Sequence, residues 1–267
     1  MARIGLLAGY GKLPILFSQV AKSRGDTVIA FALKGQAQQE LAKYVDKIHW
    51  LEWGEYQKGL LLLAAERIRK VAMLGKISKE AFFKDDDKLD EKAKKVIEKI
   101  RDKKDYSILN EMGKVLGKIG IEVIDPTTYL SDLIPQKGIL TKKGPSDSES
   151  DDINYGVKMA KELSGFDIGQ TVVVKDKTVI AVEAIEGTDQ TISRAGALTK
   201  GGFVVVKVAR PNQDMRFDVP LVGLDTLKAI AEAKGSALAL ESGKMLLMDM
   251  EALVNLADEK GISIVVI

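Results

Sequence analysis

The chain has 267 residues, no cysteine, one histidine, and 40 lysines and arginines against 38 aspartates and glutamates, a formal charge of +2. This excludes disulfides, thiolate nucleophiles, cysteine-based metal sites and any mechanism needing two imidazoles, and it lacks the strongly basic footprint of a nucleic-acid binder. The length suits two modest domains. The opening MARIGLL lacks a signal peptide's basic and long apolar regions, and no apolar run reaches the ~20 residues that span a bilayer, so a soluble, cytoplasmic protein is expected.

Residues 3–8 (RIGLLA) read as a buried strand. From Pro14, PILFSQVAKSRG places apolar residues at helical spacing, with a proline near the first turn and Gly25 as a stop. TVIAFAL (27–33) is a second strand. His49 lies in strand-like KIHWLEWG, where a packing or hydrogen-bonding role outweighs catalysis because no nucleophile accompanies it. A helix around Leu60–Arg69 leads into the strand KVAMLG (70–75), and Ser78 starts another helix. Such alternation predicts a parallel, doubly wound sheet. Residues 84–105 are dense in charge but keep Leu89, Val96, Ile97 and Ile100 at helical intervals, which reads as a surface helix with a solvated face. A helix through NEMGKVLGKIG and a strand in IEVIDP complete a first domain, 1–132.

LIPQKGILTKKGPSDSESDD (133–152) has the composition of an interdomain linker. The second domain, 153–267, opens with the helix DINYGVKMAKELSG. QTVVVKDKTVIAVEAIEG follows as a hairpin turning at Asp176-Lys177, and then the strand GFVVVKVARP. AKGSALALESGKMLLMD holds two short strands joined through Glu241–Gly243, before a helix MEALVNLADEKG and a strand ISIVVI. The fold class is α/β: an N-terminal Rossmann-like parallel-sheet domain and a C-terminal mixed α/β domain.

Three constellations carry chemistry. In Gly9-Tyr10-Gly11-Lys12-Leu13-Pro14, glycines without Cβ atoms between strand and helix let amides approach a phosphate. Pro14 stands where a dinucleotide fingerprint needs its third glycine, and the second strand ends Leu33-Lys34-Gly35 with no acid to hold a ribose, which disfavours a dehydrogenase. Phosphate contact and a plain tight turn both remain. Between Glu183 and Asp189, three carboxylates and a hydroxyl crowd a strand end; such acids repel unless a cation or basic group intervenes, and hard oxygen donors suit magnesium or manganese. The alternative is that Thr188 or Asp189 caps the helix TISRAGAL. From Lys207 to Pro220, Lys207, Arg210 and Arg216 are mixed with Asp214 and Asp218 on an irregular segment. Loop charges are by default solvated, yet cations for phosphate oxygens beside carboxylates for a metal are what phosphoanhydride hydrolysis needs.

VEAIEGTDQTISRAG (182–196), KVARPNQDMRFDVPLVG (207–223), DIGQTVVV (167–174) and GLLAGYGKLP (5–14) together resemble the UDP-2,3-diacylglucosamine pyrophosphatases of lipid A biosynthesis. The similarity is to the two-domain, Rossmann-like, metal-dependent type, not the calcineurin-like phosphoesterases, and it covers essentially the whole chain. VEAIEGTD and QDxRxDxPxxG are its specific parts. The resemblance implies hydrolysis of UDP-2,3-diacylglucosamine to UMP and 2,3-diacylglucosamine 1-phosphate (lipid X), with water attacking the sugar-side phosphorus, Mg2+ or Mn2+ assisting, and the active site in a cleft between the domains. It implies Asp218, in RxDxP, as the catalytic residue, and Asp218, Glu183 and Asp189 as metal ligands. The substrate contacts it implies are Gly11, Lys12, Gly75, Lys76, Gln170, Glu186, Gly187, Thr188, Lys207, Arg210, Asp214 and Arg216. Asn212 stands where the family commonly has a glycine. The partners implied are this lipid and its product, with peripheral contact at the inner face of the inner membrane, a homodimer as an option, and no nucleic acid. The rival reading is a non-catalytic nucleotide-sugar or lipid-phosphate binding protein, although a simple anion receptor would not place carboxylates beside a phosphate.

Overall fold

The structure, a computed structural model, describes residues 1–76, 89–91, 94 and 105–267. The helix expected from Ser78 and most of the charged helix of 84–105 lie outside the described residues. The chain divides into two units, Met1–Leu130 with Asp214–Asp218, and Ser131–Gln213 with Val219–Ile267.

The first unit is built on a parallel sheet of order β3-β2-β1-β4-β5. Its strands are β1 (Arg3–Ala8), β2 (Thr27–Leu33), β3 (Lys47–Leu51), β4 (Lys70–Leu74) and β5 (Glu122–Val123), with helices α1 (Leu13–Ser23), α2 (Tyr56–Ala65) and α3 (Asp105–Lys118). Val28 to Ala32 are buried without a break, as expected of a parallel strand covered on both faces. One face packs Ile29, Phe31, Val71 and Met73 against Leu63 and Leu116. Phe217, from the short segment 214–218, joins this cluster. A Cβ on Gly113 would lie 2.8 Å from its ring, so this mid-helix glycine makes room for it. The strand order reverses at β1: its helix carries the chain to β2 on one side, while β4 lies on the other. Ligands of open α/β sheets bind beyond the strand ends at such a switch point. His49 is structural, as expected: its ring stacks on Phe31 with centroids 5.4 Å apart, and Nε2 lies 2.8 Å from Glu66.

The second unit has a mixed sheet of order β6-β13-β11-β9-β7-β8. Its strands are β6 (Gly138–Ile139), β7 (Thr171–Lys175), β8 (Thr178–Val182), β9 (Val204–Lys207), β11 (Ala237–Leu240) and β13 (Ser263–Val266). A separate parallel pair joins β10 (Leu221–Val222) to β12 (Leu246–Leu247), so the two strands read in AKGSALALESGKMLLMD belong to different sheets. Valines alternate across the six-stranded sheet. Val172, Val174, Val204 and Val206 pack under α4 (Asp147–Gly165), which a glycine at 156 allows to settle 2.7 Å, from a would-be Cβ, onto Val206. Val173 and Val205 face Ile192 of α5 (Thr188–Thr199), Leu227 and Ile230 of α6 (Leu224–Glu232), and Leu253 of α7 (Met250–Lys260).

Residues 133–152, read as a linker, contain β6 and the start of α4 within this unit. A capping box opens α4: Ser146 Oγ accepts from the Glu149 N–H (3.3 Å) while the Glu149 carboxylate accepts from the Ser146 N–H (2.7 Å). The hairpin turns at Asp176-Lys177 as expected, with φ of 51° and 54°. Neither residue is the glycine such a turn prefers, and the buried Asp152 compensates by accepting from both of their amides, at 3.0 and 2.6 Å. Among the described residues no helix is long and apolar enough to cross a membrane.

Candidate active site

In the first unit, the C-terminal ends of β1 and β4 are zipped together. Tyr10 and Lys76 exchange backbone hydrogen bonds, the Tyr10 N–H donating to Lys76 O at 2.7 Å and the Lys76 N–H to Tyr10 O at 2.9 Å. A Cβ on Gly9 would sit 2.5 Å from Lys76 O, and one on Gly75, which has φ +95°, would sit 2.6 Å from the Gly9 carbonyl carbon. These two glycines exist because two backbones touch. Gly11 differs: it has φ +113° and nothing within 4 Å of a would-be Cβ, so it is the position that leaves a ligand free approach. Lys12 follows it at the N-cap of α1, and Lys76 stands on the facing strand end.

The segment Asp214–Asp218 is folded on itself. Arg216 grips Asp214 with Nε and Nη2 (2.9 and 2.7 Å), holding that carboxyl below its usual range, and the Phe217 and Asp218 amides both donate to Asp214 O (3.1 and 3.2 Å). Phe217 anchors the segment, Asp214 holds Arg216, and Asp218 follows the anchored ring directly.

In the second unit, the start of β7, the ends of β8 and β9 and the first turn of α5 converge. Gly187, at φ 83°, caps α5 without a side-chain hydrogen bond, so neither Thr188 nor Asp189 is its cap. Lys207, only 8% exposed, donates from Nζ to Thr188 Oγ1 at 2.7 Å and, at longer range, to Thr171 Oγ1 at 3.4 Å. The Thr188 hydroxyl donates to Glu183 Oε1 at 2.8 Å, and Glu183 Oε2 accepts from the Gln170 N–H at 3.3 Å. Burial pushes the Glu183 carboxyl up, but the Lys207 charge and hydrogen bonding by Thr171, Thr188 and the Gln170 N–H outweigh it and hold it below the usual range. Glu186 is gripped by Arg194 at 2.7 Å, and its own backbone N–H and Arg194 keep its carboxyl low. Asp189 accepts from Thr226 at 2.9 Å. The loop after β9 is fixed from below: Glu241 accepts from the Ala209 N–H at 2.8 Å and pairs with Lys161, which also donates to Ala209 O. Arg210 pairs with Asp167 at 2.7 Å. In the amide orientation that satisfies both ends, Gln170 donates to Val208 O and accepts from Arg210 Nη1, both at 3.1 Å.

The expected residues thus gather in two sets. Gly11, Lys12, Gly75 and Lys76 lie at the switch point of the first unit, with Asp214, Arg216 and Asp218 on a segment anchored in that unit. Gln170, Glu183, Glu186, Gly187, Thr188, Asp189, Lys207 and Arg210 lie at one sheet end of the second. Lys161 and Glu241 are not legible as members, since each reaches the site from another element, whereas Asp167 and Thr171 lie within DIGQTVVV but are not singled out by it. Among the described residues no group of three or more histidine, cysteine or carboxylate side chains is arranged to hold a metal ion, and Glu183 and Asp189 are both engaged by protein donors.

Two family models account for the chain almost end to end, the LpxI N-terminal domain over residues 3–133 and the LpxI C-terminal domain over residues 136–265. The chain belongs to the LpxI family. A relative, the UDP-2,3-diacylglucosamine pyrophosphatase LpxI of Caulobacter vibrioides, is 28% identical over 273 residues, 98% of this chain and 96% of that protein. The resemblance read from VEAIEGTD and QDxRxDxPxxG therefore holds, and so does the division into a parallel-sheet unit and a mixed-sheet unit. Among solved structures, the biotin carboxylase of Campylobacter jejuni aligns over 73% of this chain and 41% of its own, with a TM-score of 0.28 and 10% identity. The biotin carboxylase domain of a Hydrogenobacter thermophilus 2-oxoglutarate carboxylase aligns over 66% and 35%, with a TM-score of 0.25 and 16% identity. The LpxI-family chain spans about two fifths or less of the length of these carboxylase chains.

Proposed function

We propose that this LpxI-family chain hydrolyses the pyrophosphate bond of UDP-2,3-diacylglucosamine, releasing UMP and lipid X. The match to both LpxI domains carries the reading, and the placement of cations at strand and helix ends supports it. The substrate's diphosphate bears two negative charges that a water nucleophile must approach. Lys207 and Arg210, held by Thr188 and Asp167, and Arg216, held by Asp214, are assigned to the phosphate oxygens. Pre-oriented cations of this kind stabilise charge that develops in the transition state without having to reorganise. Gly11, Lys12, Gly75 and Lys76 are assigned to the nucleotide-sugar part. Asp218 is assigned as the catalytic carboxylate that takes the proton of the attacking water; the one histidine, His49, is committed to Glu66 in the first unit's sheet.

Magnesium or manganese belongs to the proposal: Asp218 is the carboxylate that would hold it, and when bound it would neutralise phosphate charge. Glu183 and Asp189 are not kept as its ligands. The two acyl chains of the substrate make a peripheral membrane contact part of the same proposal.

Phosphorus NMR of UDP-2,3-diacylglucosamine with protein and magnesium tests the assignment. The diphosphate resonances should give way to two phosphomonoester signals. Asp218→Asn should slow this by about 10²–10⁴-fold, the worth of a positioned acid–base group, and EDTA should stop it. A receptor that binds without turnover leaves the diphosphate signals intact, and an Asp218→Asn variant working at the wild-type rate removes Asp218 from the chemistry.

A further inference from the structure

Thr188 lies between a group that can only donate and a group that can only accept. The Lys207 ammonium has no lone pair to offer and the ionised Glu183 has no proton to give, so the Thr188 hydroxyl accepts from Lys207 and spends its single proton on Glu183. A hydroxyl used in this way has no proton left for a phosphate oxygen. The second Glu183 oxygen accepts from the Gln170 N–H, and the Glu183 backbone is fixed as well. Its N–H donates to Thr171 O at 2.9 Å, and its carbonyl lies so close to Gly169 that a Cβ there would be 2.0 Å from the oxygen. Lys207 is 8% exposed and extends from β9, the neighbour of β7, into this network.

We propose that Glu183 is a positioning residue for Lys207, acting through Thr188, and not a metal ligand. The carboxylate takes the proton of the hydroxyl and so leaves its lone pairs to the ammonium, which sets where the buried positive charge sits; the Thr171 hydroxyl flanks the link at 3.4 Å from both Thr188 and Lys207. Thr188 is the link in this relay and not a hydroxyl contact to substrate. Only a carboxylate serves, because it accepts at both oxygens; a glutamine of the same shape offers one acceptor and would set an N–H₂ against either Thr188 or the Gln170 amide. The inference rests on the reading of Lys207 as a phosphate contact, and the experiment separates the two.

The test measures kcat and KM for Glu183→Gln, Lys207→Met and the double variant, with Mn2+ binding to each protein followed by electron paramagnetic resonance. Glu183→Gln should lower kcat/KM by about 10–100-fold, by analogy with the loss on removing a hydrogen-bond partner that orients a metal ligand. The double variant should be no worse than Lys207→Met alone, because without the lysine there is nothing left to position. Mn2+ binding should be the same in wild type and Glu183→Gln. Multiplicative losses in the double variant, or weakened Mn2+ binding by Glu183→Gln, overturn the proposal and leave the role of Lys207 intact. A Lys207→Met enzyme with wild-type kcat/KM overturns the reading of Lys207 and the relay with it. Should Glu183→Gln fail to fold, Thr188→Val and Thr188→Ser decide the matter with Glu183 in place. The serine, which keeps the relay, must retain more kcat/KM than the valine; equal losses refute the relay.

Discussion

Replacing Gly9 by alanine would normally stabilise a chain. Gly9 is not among the glycines with positive φ, and at such positions Gly→Ala gains about 0.4–1 kcal/mol by restricting the unfolded state. Here the sign reverses. The new Cβ would lie 2.5 Å from Lys76 O and 3.0 Å from the Gly75 carbonyl carbon, far inside contact, and both neighbours are backbone that cannot rotate away. Relief requires β1 and β4 to separate at their ends, which breaks the two hydrogen bonds exchanged by Tyr10 and Lys76. At about 0.5–1.5 kcal/mol each, their loss together with residual overpacking outweighs the gain and leaves a net cost of about 1–3 kcal/mol. Gly117 is the control of opposite sign, since it lies in α3 with nothing within 4 Å of its would-be Cβ, and alanine there should stabilise by about 0.5–1 kcal/mol. The assay is urea unfolding followed by tryptophan fluorescence. The chain has two tryptophans, Trp50 and Trp53, both in the first unit, so the signal reports that unit alone. A Gly9→Ala midpoint at or above wild type would refute the claim that this glycine is set by the neighbouring backbone.

The same signal should respond to Phe217→Ala, although residue 217 is far along the chain from either tryptophan. Emptying the site beside Gly113 should cost the first unit about 3 kcal/mol, the lower end for a buried phenylalanine, and an unchanged midpoint would show that the ring is not part of that core. Acid should unfold the first unit through Glu66, whose carboxyl is pulled from 4.5 to about 2 by Lys47, then His49, with Arg3 adding to the effect. A depressed folded-state value gives stability that is complete above the unfolded value and lost as the pH falls, so the midpoint should drop between about pH 5 and pH 2, and Glu66→Gln should flatten that fall.

Much of the architecture could be read directly because the signals are local. Uninterrupted apolar runs such as TVIAFAL marked strands covered on both faces, and the two-residue hairpin at Asp176-Lys177 followed from two valine-rich runs flanking a polar pair even without a glycine. What stayed hidden depended on distance along the chain. Ser146-x-x-Glu149 is a helix start, but it sits in a stretch whose glycine, proline and serine content reads as linker. Gly9 and Gly75 look like a phosphate loop, and only the pairing of β1 with β4 reveals that each makes room for the other. The acids from Glu183 to Asp189 look like a metal cluster because they are neighbours in sequence. Each is engaged separately: Glu183 by the Thr188 hydroxyl and the Gln170 N–H, Glu186 by Arg194, and Asp189 by Thr226.

The placement of Phe217 bears on how the molecule is made. The front lobe is contiguous up to Leu130, yet one of its core side chains is encoded within the back lobe. On the ribosome, where domains otherwise fold in order of emergence, the earlier lobe must wait with a gap beside Gly113 until the ring is synthesised. A fragment ending near residue 133 would keep that gap for good, and the loop bearing Asp218 can be anchored only once both halves of the polypeptide exist.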